Sequence, residues 1–220
     1  MATWLITGAN RGIGLELARQ LRGRGETVVA TCRASSPELD LVGCRVLEGI
    51  DVGADDVGEV LTDALGDDAA VDVLLSNAGI LRREPDGIDF AAAREQFDVN
   101  TLGPLRVATA LLPRLESGAR IGFVSSMAGS IGDVPSGGMY GYRMSKAALN
   151  LAVANLAHEV RPRGIHVVAL HPGFVRTEMT RGGGNVDPVA AANGLIARLD
   201  ELDAGRSGRF FHADGRELPW

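Results

Sequence analysis

Apolar residues along the chain alternate between short continuous runs and longer stretches with helical spacing. The short runs are rich in β-branched residues, and most are continuous rather than alternating, which is typical of strands buried on both faces of a parallel sheet. Seven such runs predict strands at Trp4–Thr7, Thr27–Thr31, Arg45–Glu48, Val71–Ser76, Arg120–Ser125, Ile165–Leu170 and Gly208–Phe211.

The stretches between these runs carry apolar residues three or four positions apart, as helices do. They predict helices at 12–24, 54–66, 88–115, 142–161 and 187–202. The fourth run of the sequence is followed by the longest stretch, 88–115, which we expect to form two helices with a break near Asn100. Residues 33–43 are poorly patterned and fit either a short helix or a loop.

Alternating strands and helices predict an α/β fold with a doubly wound sheet. We expect a Rossmann-type sheet of about seven mainly parallel strands, flanked by helices. No linker, repeat or low-complexity segment divides the chain, so residues 1–220 are predicted to form one domain.

Composition limits the classes of partner. The chain of 220 residues is 45% apolar and 23% charged, as in soluble globular proteins. A net charge of −6 and scattered arginines argue against a nucleic-acid partner. No apolar run approaches the roughly 20 residues that span a bilayer, and no signal peptide is apparent, so we predict a cytoplasmic protein without a membrane contact. Cys32, Cys44 and four scattered histidines show no metal-ligand spacing, which predicts reduced structural thiols and no metal site.

The first strand is followed by a glycine-rich turn that opens a helix. Gly8, Gly12 and Gly14 in TGANRGIG would permit a tight turn, close approach of the backbone to a pyrophosphate, and close packing of helix on strand. The helix N-terminus adds free N–H groups and the positive end of its dipole. The turn therefore predicts a dinucleotide site, although its GxxxGxG spacing differs from the common GxGxxG pattern.

Lys146 is the single lysine among 22 basic residues, and it follows one of the two tyrosines, Tyr142, by four positions. Positions four apart share a helix face, so the two side chains can approach each other. A neighbouring ammonium favours the phenolate, which predicts a lowered pKa for Tyr142 and an acid/base role. The alternative is a surface pair that shares a helix face by chance.

Several motifs occur in a fixed order along the chain: Thr7–Gly14, Asn77-Ala78-Gly79, Asn100, Ser126, Tyr142-x-x-x-Lys146 and Pro172-Gly173-Phe174-Val175-x-Thr177. Together they resemble the short-chain dehydrogenase/reductase family. The longer stretches Gly137–Asn150 and Ser207–Trp220 are similar to its C-factor/sniffer-type subgroup, which includes carbonyl reductases.

The resemblance implies four catalytic residues. Tyr142 would be the proton donor or acceptor, Ser126 would bind the substrate oxygen, and Lys146 would lower the tyrosine pKa and hold the nicotinamide ribose. Asn100 would position a water that connects the lysine to solvent, and Ser125 is expected to cap the following segment. The implied cofactor-binding residues are Gly8, Asn10, Arg11, Gly12, Ile13, Gly14, Arg33, Asp51, Val52, Asn77, Ala78, Gly79, Tyr142, Lys146, Pro172, Gly173, Val175 and Thr177.

The end of the second strand bears on the choice of cofactor. It carries Cys32 and Arg33 in place of the carboxylate that would bind the ribose hydroxyls of NAD, and Arg11 lies in the glycine turn. Arginine pairs well with phosphate, so NADP(H) is the preferred prediction, with NAD(H) and merely solvated arginines as the alternatives. Asp51 would bind the adenine or else cap the helix 54–66. Asn77 would touch the ligand or stabilise the sheet.

Glycine-rich segments surround the predicted substrate side. Gly132–Tyr140 is expected to form a loop over the site, with Tyr140 in its wall, and Thr180–Asn185 a short lid with glycine hinges. His171, a strand-end histidine, is interpreted as structural. Small apolar residues on several faces of the helix 142–161 suit packing on the sheet and on a partner subunit, and the resemblance implies a homodimer or homotetramer through this helix.

These features predict an NADP(H)-dependent oxidoreductase that transfers a hydride between nicotinamide and a small carbonyl compound or secondary alcohol. One alternative is a dinucleotide-binding signalling or regulatory protein of the C-factor kind with little turnover. Another is an NAD-dependent alcohol dehydrogenase.

Overall fold

The structure of the chain is a computed structural model that describes residues 1–66, 69–84 and 87–220. Its seven strands are β1 (Thr3–Thr7), β2 (Thr27–Thr31), β3 (Arg45–Leu47), β4 (Val73–Ser76), β5 (Arg120–Val124), β6 (His166–His171) and β7 (Arg209–His212). They form one sheet in the order β3-β2-β1-β4-β5-β6-β7, and every neighbouring pair is parallel. The predicted doubly wound α/β fold is confirmed.

The helices are α1 (Gly12–Gly23), α2 (Pro37–Asp40), α3 (Val57–Leu65), α4 (Phe90–Phe97), α5 (Gly103–Leu111), α6 (Tyr140–Val160) and α7 (Pro188–Asp200). Poorly patterned residues 33–43 thus contain one short helix, α2, which begins at a proline after the capping side chain of Ser36. The helix predicted from residue 54 begins three residues later, because the residues after Asp51 form turns with bonds from Ala54 N to Asp51 O and from Val57 N to Ala54 O.

The two helices predicted within 88–115 are present, and the α-helical pattern is interrupted at Asn100 as expected. Helices α4 and α5 are joined by one π-helical turn, Asp98–Leu102, in which the Gly103 amide donates to the carbonyl of Asp98. A π turn inserts one residue into a continuous helix, and such turns are frequent at functional sites. Asn100 is fully buried in this turn.

The core lies on both faces of the sheet. In β1, Trp4 and Ile6 belong to the cluster beneath α1 and α7, whereas Leu5 belongs to the cluster beneath α3, α5 and α6. Side chains alternate between the faces of a strand, so a strand covered on both sides needs an apolar residue at every position. This is why the sequence shows continuous apolar runs.

Candidate active site

The strand order reverses between β1 and β4, since β2 and β3 lie on one side of β1 and the later strands on the other. Ligands of open α/β sheets bind in the crevice outside the carboxyl ends of the strands at such a point. Thr7 and Ser76, the last residues of β1 and β4, are buried at this crevice. The predicted glycine turn and the Asn77–Gly79 motif follow them directly.

The glycine turn packs so closely against neighbouring backbone that it leaves no space for side chains at two positions. Gly8 and Gly12 have positive φ angles of 66° and 55°. A methyl group added at Gly8 would lie 2.9 Å from the Cα atom of Ala78, and one added at Gly14 would overlap the carbonyl oxygen of Gly8 and approach Asn77 Nδ2 to 2.7 Å. Only hydrogen fits at Gly8 and Gly14, which is the close packing predicted for this turn.

Asn77 braces this turn from the neighbouring strand. Its Nδ2 donates to the carbonyls of Thr7 (3.0 Å) and Gly8 (3.1 Å). Thr7 Oγ1 in turn accepts from the amides of Asn77 and Ala78, both at 3.0 Å. The side chain of Asn77 therefore stabilises the sheet, one of the two predicted roles. Thr7 also stabilises the turn, a role that the motif alone does not reveal.

The N-terminus of α1 is open. Arg11 is its N-cap and no side chain caps the helix, as is also true of α3 and α6, whereas α2, α4 and α7 are capped by Ser36, Asp89 and Asp187. The first N–H groups of a helix have no partner within it, and they attract anions together with the helix dipole. This uncapped end, set behind a glycine turn, fits the pyrophosphate of a dinucleotide. Asn10 ties the turn to the β2–α2 segment by donating to the carbonyl of Ala34 at 3.0 Å.

The residues predicted at the adenosine end lie at the same edge. Arg33 is exposed beside the buried Cys32. Cys32 and Arg33 follow the strand, but the carboxylate of Glu48 lies close by and accepts from the amide of Ser35 at 2.9 Å. Arg11 pairs with Glu178 from far along the chain at 2.7 Å. Asp51 accepts from the amide of Gly53 and does not cap α3, which begins after Asp56, so that alternative is wrong.

Lys146 lies in α6 with only 4% of its surface exposed. Its Nζ donates to the carbonyl of Val124, the last residue of β5, at 2.8 Å and lies 6.0 Å from the centre of the Tyr142 ring. Burial disfavours the ammonium and lowers the pKa of Lys146 to about 8. The predicted approach of lysine and tyrosine is present.

The predicted lowering of the Tyr142 pKa is wrong for this structure. Burial of the phenol raises its pKa, and the hydrogen bond with the Ser126 side chain lowers it only in part. Lys146 does not offset the effect of burial on the pKa of Tyr142. Its Nζ is 6.0 Å from the ring centre and donates to the carbonyl of Val124. A phenolate at Tyr142 would need further positive charge beside it.

The two serines after β5 have different surroundings, and the capping role predicted for Ser125 belongs to Ser126. Ser126, predicted as the substrate-binding hydroxyl, is the N-cap of the 3₁₀ turn Met127–Gly129 and accepts from the amide of Ala128 at 3.1 Å. Ser125, predicted as the cap, is buried and donates to Asn150 Oδ1 of α6 at 2.6 Å. That contact fastens β5 to α6, and with it the strand end that carries Ser126.

Asn100 joins three parts of the site. Its Oδ1 accepts from the amide of Ile80 at 2.8 Å, and its Nδ2 donates to the carbonyl of Ile80 at 2.9 Å and to Ser145 Oγ at 3.1 Å. Ser145 Oγ donates to the carbonyl of Tyr142 at 2.8 Å. A methyl group on Gly79 would meet both Asn100 Oδ1 (3.2 Å) and Lys146 Nζ (3.7 Å), so this glycine keeps the two side chains adjacent.

Two contacts at the start of α6 escaped sequence reasoning. Ser145, directly before Lys146, links Asn100 to the backbone of Tyr142, and Glu84 accepts from the amide of Gly141 at 3.2 Å. Both partners are more than 40 residues away, so only the fold brings them together. Gly141 has no room for a side chain, since a methyl group would lie 2.8 Å from the Cα atom of Ala93.

Residues 174–186, here called the lid segment, fold back after β6. Gly173 has a φ of 91° and packs against Val186, and Val175 pairs with Val186. Pro172 is buried, and the Thr177 methyl would be 3.4 Å from a methyl group on Gly12, so the segment meets the glycine turn. Thr180 restrains the predicted glycine hinges, because its Oγ1 accepts from the amide of Thr177 at 3.0 Å and its single proton has three carbonyls within reach, those of Val175, Thr177 and Gly183.

His171 is the last residue of β6. Its ring meets that of His212 edge-on at 5.1 Å, and burial lowers its pKa to about 4. The ring is therefore neutral at physiological pH.

Among residues 1–66, 69–84 and 87–220, no group of three His, Cys, Asp or Glu side chains is arranged to hold a metal ion. Within the same ranges no helix is long and apolar enough to cross a membrane.

Comparison with known proteins decides the family, since the family model described as short chain dehydrogenase matches residues 2–185. The chain belongs to the short-chain dehydrogenase family. It is 40% identical over the full length of both chains to a 1-hydroxy-2-glutathionyl-2-methyl-3-butene dehydrogenase of Rhodococcus sp. (strain AD45). It is also 43% identical to the C-signal of Myxococcus xanthus, over 68% of this chain and 93% of that protein.

Solved carbonyl reductases have the same architecture. The carbonyl reductase Sniffer of D. melanogaster superposes with a TM-score of 0.90 at 31% identity, over the whole of both chains. A carbonyl reductase from Pseudomonas aeruginosa PAO1 in complex with NADP does so with a TM-score of 0.87 at 34% identity, also over the whole of both chains. The predicted family, subgroup resemblance and oxidoreductase class are confirmed.

Proposed function

We propose that this oxidoreductase is an NADP(H)-dependent carbonyl reductase that also oxidises the matching secondary alcohols, with Tyr142 as its proton donor and acceptor. One observation carries the proposal. Tyr142 and Lys146 from α6, and Ser126 from the end of β5, converge at the same sheet edge as the uncapped N-terminus of α1.

The dinucleotide, when bound, supplies or accepts the hydride. In the proposal, α1 with Gly8, Asn10, Gly12, Ile13 and Gly14 holds the pyrophosphate. Asp51 and Val52 contact the adenine. The main chain of Asn77, Ala78 and Gly79 lies along the ribose side. Pro172, Gly173, Val175 and Thr177 line the nicotinamide end.

Proton transfer belongs to Tyr142. Its raised pKa keeps the phenol protonated at neutral pH in the unliganded enzyme, which suits donation to a carbonyl oxygen during reduction. Ser126 Oγ donates to the same substrate oxygen as charge develops there. In the direction of alcohol oxidation, the positive charge of the oxidised nicotinamide adds to that of Lys146 and favours the phenolate.

Lys146 is protonated below its pKa of about 8, so it carries its charge under physiological conditions. One of its three donors is committed to the carbonyl of Val124, and the other two remain for the ribose hydroxyls of the nicotinamide half. Asn100 positions this end of the helix through Ser145. Its proposed further role is to hold a water that connects Lys146 to solvent.

The choice of NADP(H) over NAD(H) rests on Arg11 and Arg33. Both are exposed beside the glycine turn, where a 2′-phosphate would need cationic partners. The resemblance to a carbonyl reductase that binds NADP supports the same choice.

Stopped-flow titration with NADPH and NADH, followed by a panel of carbonyl compounds and alcohols, tests the proposal. Tighter binding of NADPH together with reduction of at least one carbonyl compound is expected. Tighter binding of NADH would contradict the cofactor assignment. Binding of NADPH without turnover of any panel compound would contradict the enzymatic proposal and favour a signalling role.

We also propose that the enzyme is a cytoplasmic homodimer or homotetramer. Its two cysteines are free thiols, as expected in a reducing compartment. Met144 and Leu151 lie seven residues apart on the outer face of α6 and are 48% and 64% exposed, an apolar strip that a second copy would cover. Sedimentation at micromolar concentration should show a dimer or tetramer mass, and a single monomeric species would contradict this assembly.

A further inference from the structure

Residues 218–220 return from the far edge of the sheet to the segment that follows Ser126. The main-chain oxygen of Trp220 accepts from the amides of Ile131 and Gly132, each at 3.0 Å, and from Ser130 Oγ at 3.2 Å. Three consecutive residues thus donate to one acceptor. The two ends of this contact are 88 to 90 residues apart in sequence.

The acceptor is itself held in place. The Leu218 amide donates to the carbonyl of Phe210 at 2.8 Å, and Glu217 pairs with Phe211 in an antiparallel bridge. The Trp220 ring stacks on the buried Phe210 with ring centres 5.8 Å apart. Residues 218–220 are therefore fastened to the last strand by both main chain and ring.

The segment they hold adjoins the proposed catalytic residues on both sides. Ser130 is buried directly after the 3₁₀ turn that Ser126 caps, and Gly129 packs against the backbone of Lys146 and Ala147. Beyond Ser130, residues 131–138 are all exposed and lead to α6 and Tyr142. Trp220 contacts the loop where it leaves the core.

Burial does not fix this loop. Ile131 and Val134 are apolar yet 80% and 55% exposed, so their side chains contribute little to holding its position. Toward the α6 end of the loop, Arg143 Nη2 donates to Ser136 Oγ at 3.4 Å, which is long for a hydrogen bond. The hydrogen bonds to Trp220 are therefore the main restraint on where the loop begins.

We propose that Trp220 is a positioning residue for substrate recognition, which acts by holding Ser130–Gly132 and so the exposed apolar loop 131–138 beside Ser126 and Tyr142. The inference rests on the proposed function of that site. The loop would present Ile131 and Val134 to an apolar part of the carbonyl substrate. The dinucleotide crevice lies across the sheet edge, and its contacts do not involve residues 218–220.

Two variants weaken the anchor by different means. Trp220→Ala removes the stacking on Phe210, and a chain shortened by Pro219 and Trp220 also removes the acceptor oxygen. We expect both to raise KM for the best carbonyl substrate about tenfold or more while kcat changes less than about threefold. The NADPH dissociation constant should stay within about twofold of the unaltered enzyme, since the crevice contacts are intact.

Trp220→Phe keeps an aromatic ring on Phe210 and should restore most of the substrate affinity. Glu217→Ala is the matched control from the same segment. It removes the exposed ion pair with Arg209 and leaves the contacts of Trp220 in place, so its KM should equal that of the unaltered enzyme. An unchanged KM in both anchor variants would overturn the proposal, as would equal losses in kcat and NADPH binding.

Amide hydrogen exchange provides a readout that does not depend on turnover. The amides of Ile131 and Gly132 should exchange at least about tenfold faster in the shortened chain, while those of β1 and β4 keep their protection. Unchanged protection at both amides would contradict the anchor even if the enzyme reduced no compound. Faster exchange in an enzyme without carbonyl reductase activity would contradict the proposed function and leave the anchor supported.

Discussion

The two sides of the site are built differently. On the dinucleotide side, Gly8 and Gly14 lie against neighbouring backbone with no space for a methyl group, and Thr7 and Asn77 bind the two strand ends together. On the substrate side, residues 131–138 are exposed, and a methyl group on Gly137 would meet nothing within 4 Å. A rigid crevice suits a ligand of constant shape, whereas a loop held at few points suits substrates of varied shape.

Tyr142→Phe should separate the two sides most strongly. It removes the proposed proton donor and leaves the crevice unchanged, so kcat should fall about 10²–10⁴-fold. The NADPH dissociation constant should stay within about threefold, because the glycine turn does not involve the phenol. Steady-state rates and a fluorescence titration measure the two effects, and reduction at the rate of the unaltered enzyme would refute the assignment of Tyr142.

Gly14→Ala should damage the dinucleotide side. The added methyl group would overlap the Gly8 carbonyl and press on Asn77, and such overpacking costs about 1–3 kcal/mol of unfolding free energy. NADPH affinity should fall with it. Gly137→Ala is the control on the substrate side, where the same added atom meets open space and should leave urea unfolding and NADPH binding unchanged. Equal effects of the two substitutions would contradict the difference between the sides.

Lys146 lies where the two sides meet, and its burial predicts a pH-dependent contribution to stability. The pKa of Lys146 is about 8 in the folded protein against 10.5 for the unperturbed group. Between these values the unfolded chain binds more protons than the folded one, so this residue raises the free energy of unfolding as pH rises from 8 toward 10. The contribution should be on the order of 2 kcal/mol.

Urea unfolding at pH 8 and at pH 10 measures this effect by comparison with Lys146→Met. The variant lacks the titrating group, so the unaltered protein should gain stability relative to it over that interval. A constant difference between the two proteins would mean that the amine keeps an ordinary pKa in the fold.

Glu178→Gln should have the smallest effect, and it tests how the lid segment influences the dinucleotide side. The ion pair between Arg11 and Glu178 is exposed at both side chains, and such pairs contribute about 0–1 kcal/mol. If Arg11 binds the 2′-phosphate, removal of its competitor should tighten NADPH binding about two- to threefold and leave NADH binding unchanged. Equal changes in the affinity for both dinucleotides would show that Arg11 does not bind the 2′-phosphate.

Sequence patterns located the strands to within two residues, because burial on both faces leaves continuous apolar runs. They also located the glycine turn, whose residues are adjacent in sequence. Helical spacing also located the interruption at Asn100, although it does not show that the interruption is a π turn. Ser145, Glu84 and Trp220 were missed because their contacts join distant segments.

The pKa of Tyr142 shows a second limit of the sequence. The four-residue spacing from Lys146 correctly placed a cation near the phenol, but spacing does not reveal burial. In the structure burial has the larger effect, and it acts in the opposite direction. The predicted capping role of Ser125 is wrong for a similar reason, since the sequence does not show which of two neighbouring serines points into the core.

The single lysine makes amine chemistry specific in this protein. Apart from the amino group at Met1, Lys146 is the one primary amine in the sequence, and its lowered pKa leaves a nucleophilic fraction of free amine near neutral pH. Its 4% exposure restricts entry to small acylating reagents. Acylation of Lys146, in addition to the amino group at Met1, therefore reports whether the nicotinamide end of the crevice is open. A bound dinucleotide should slow the reaction at Lys146.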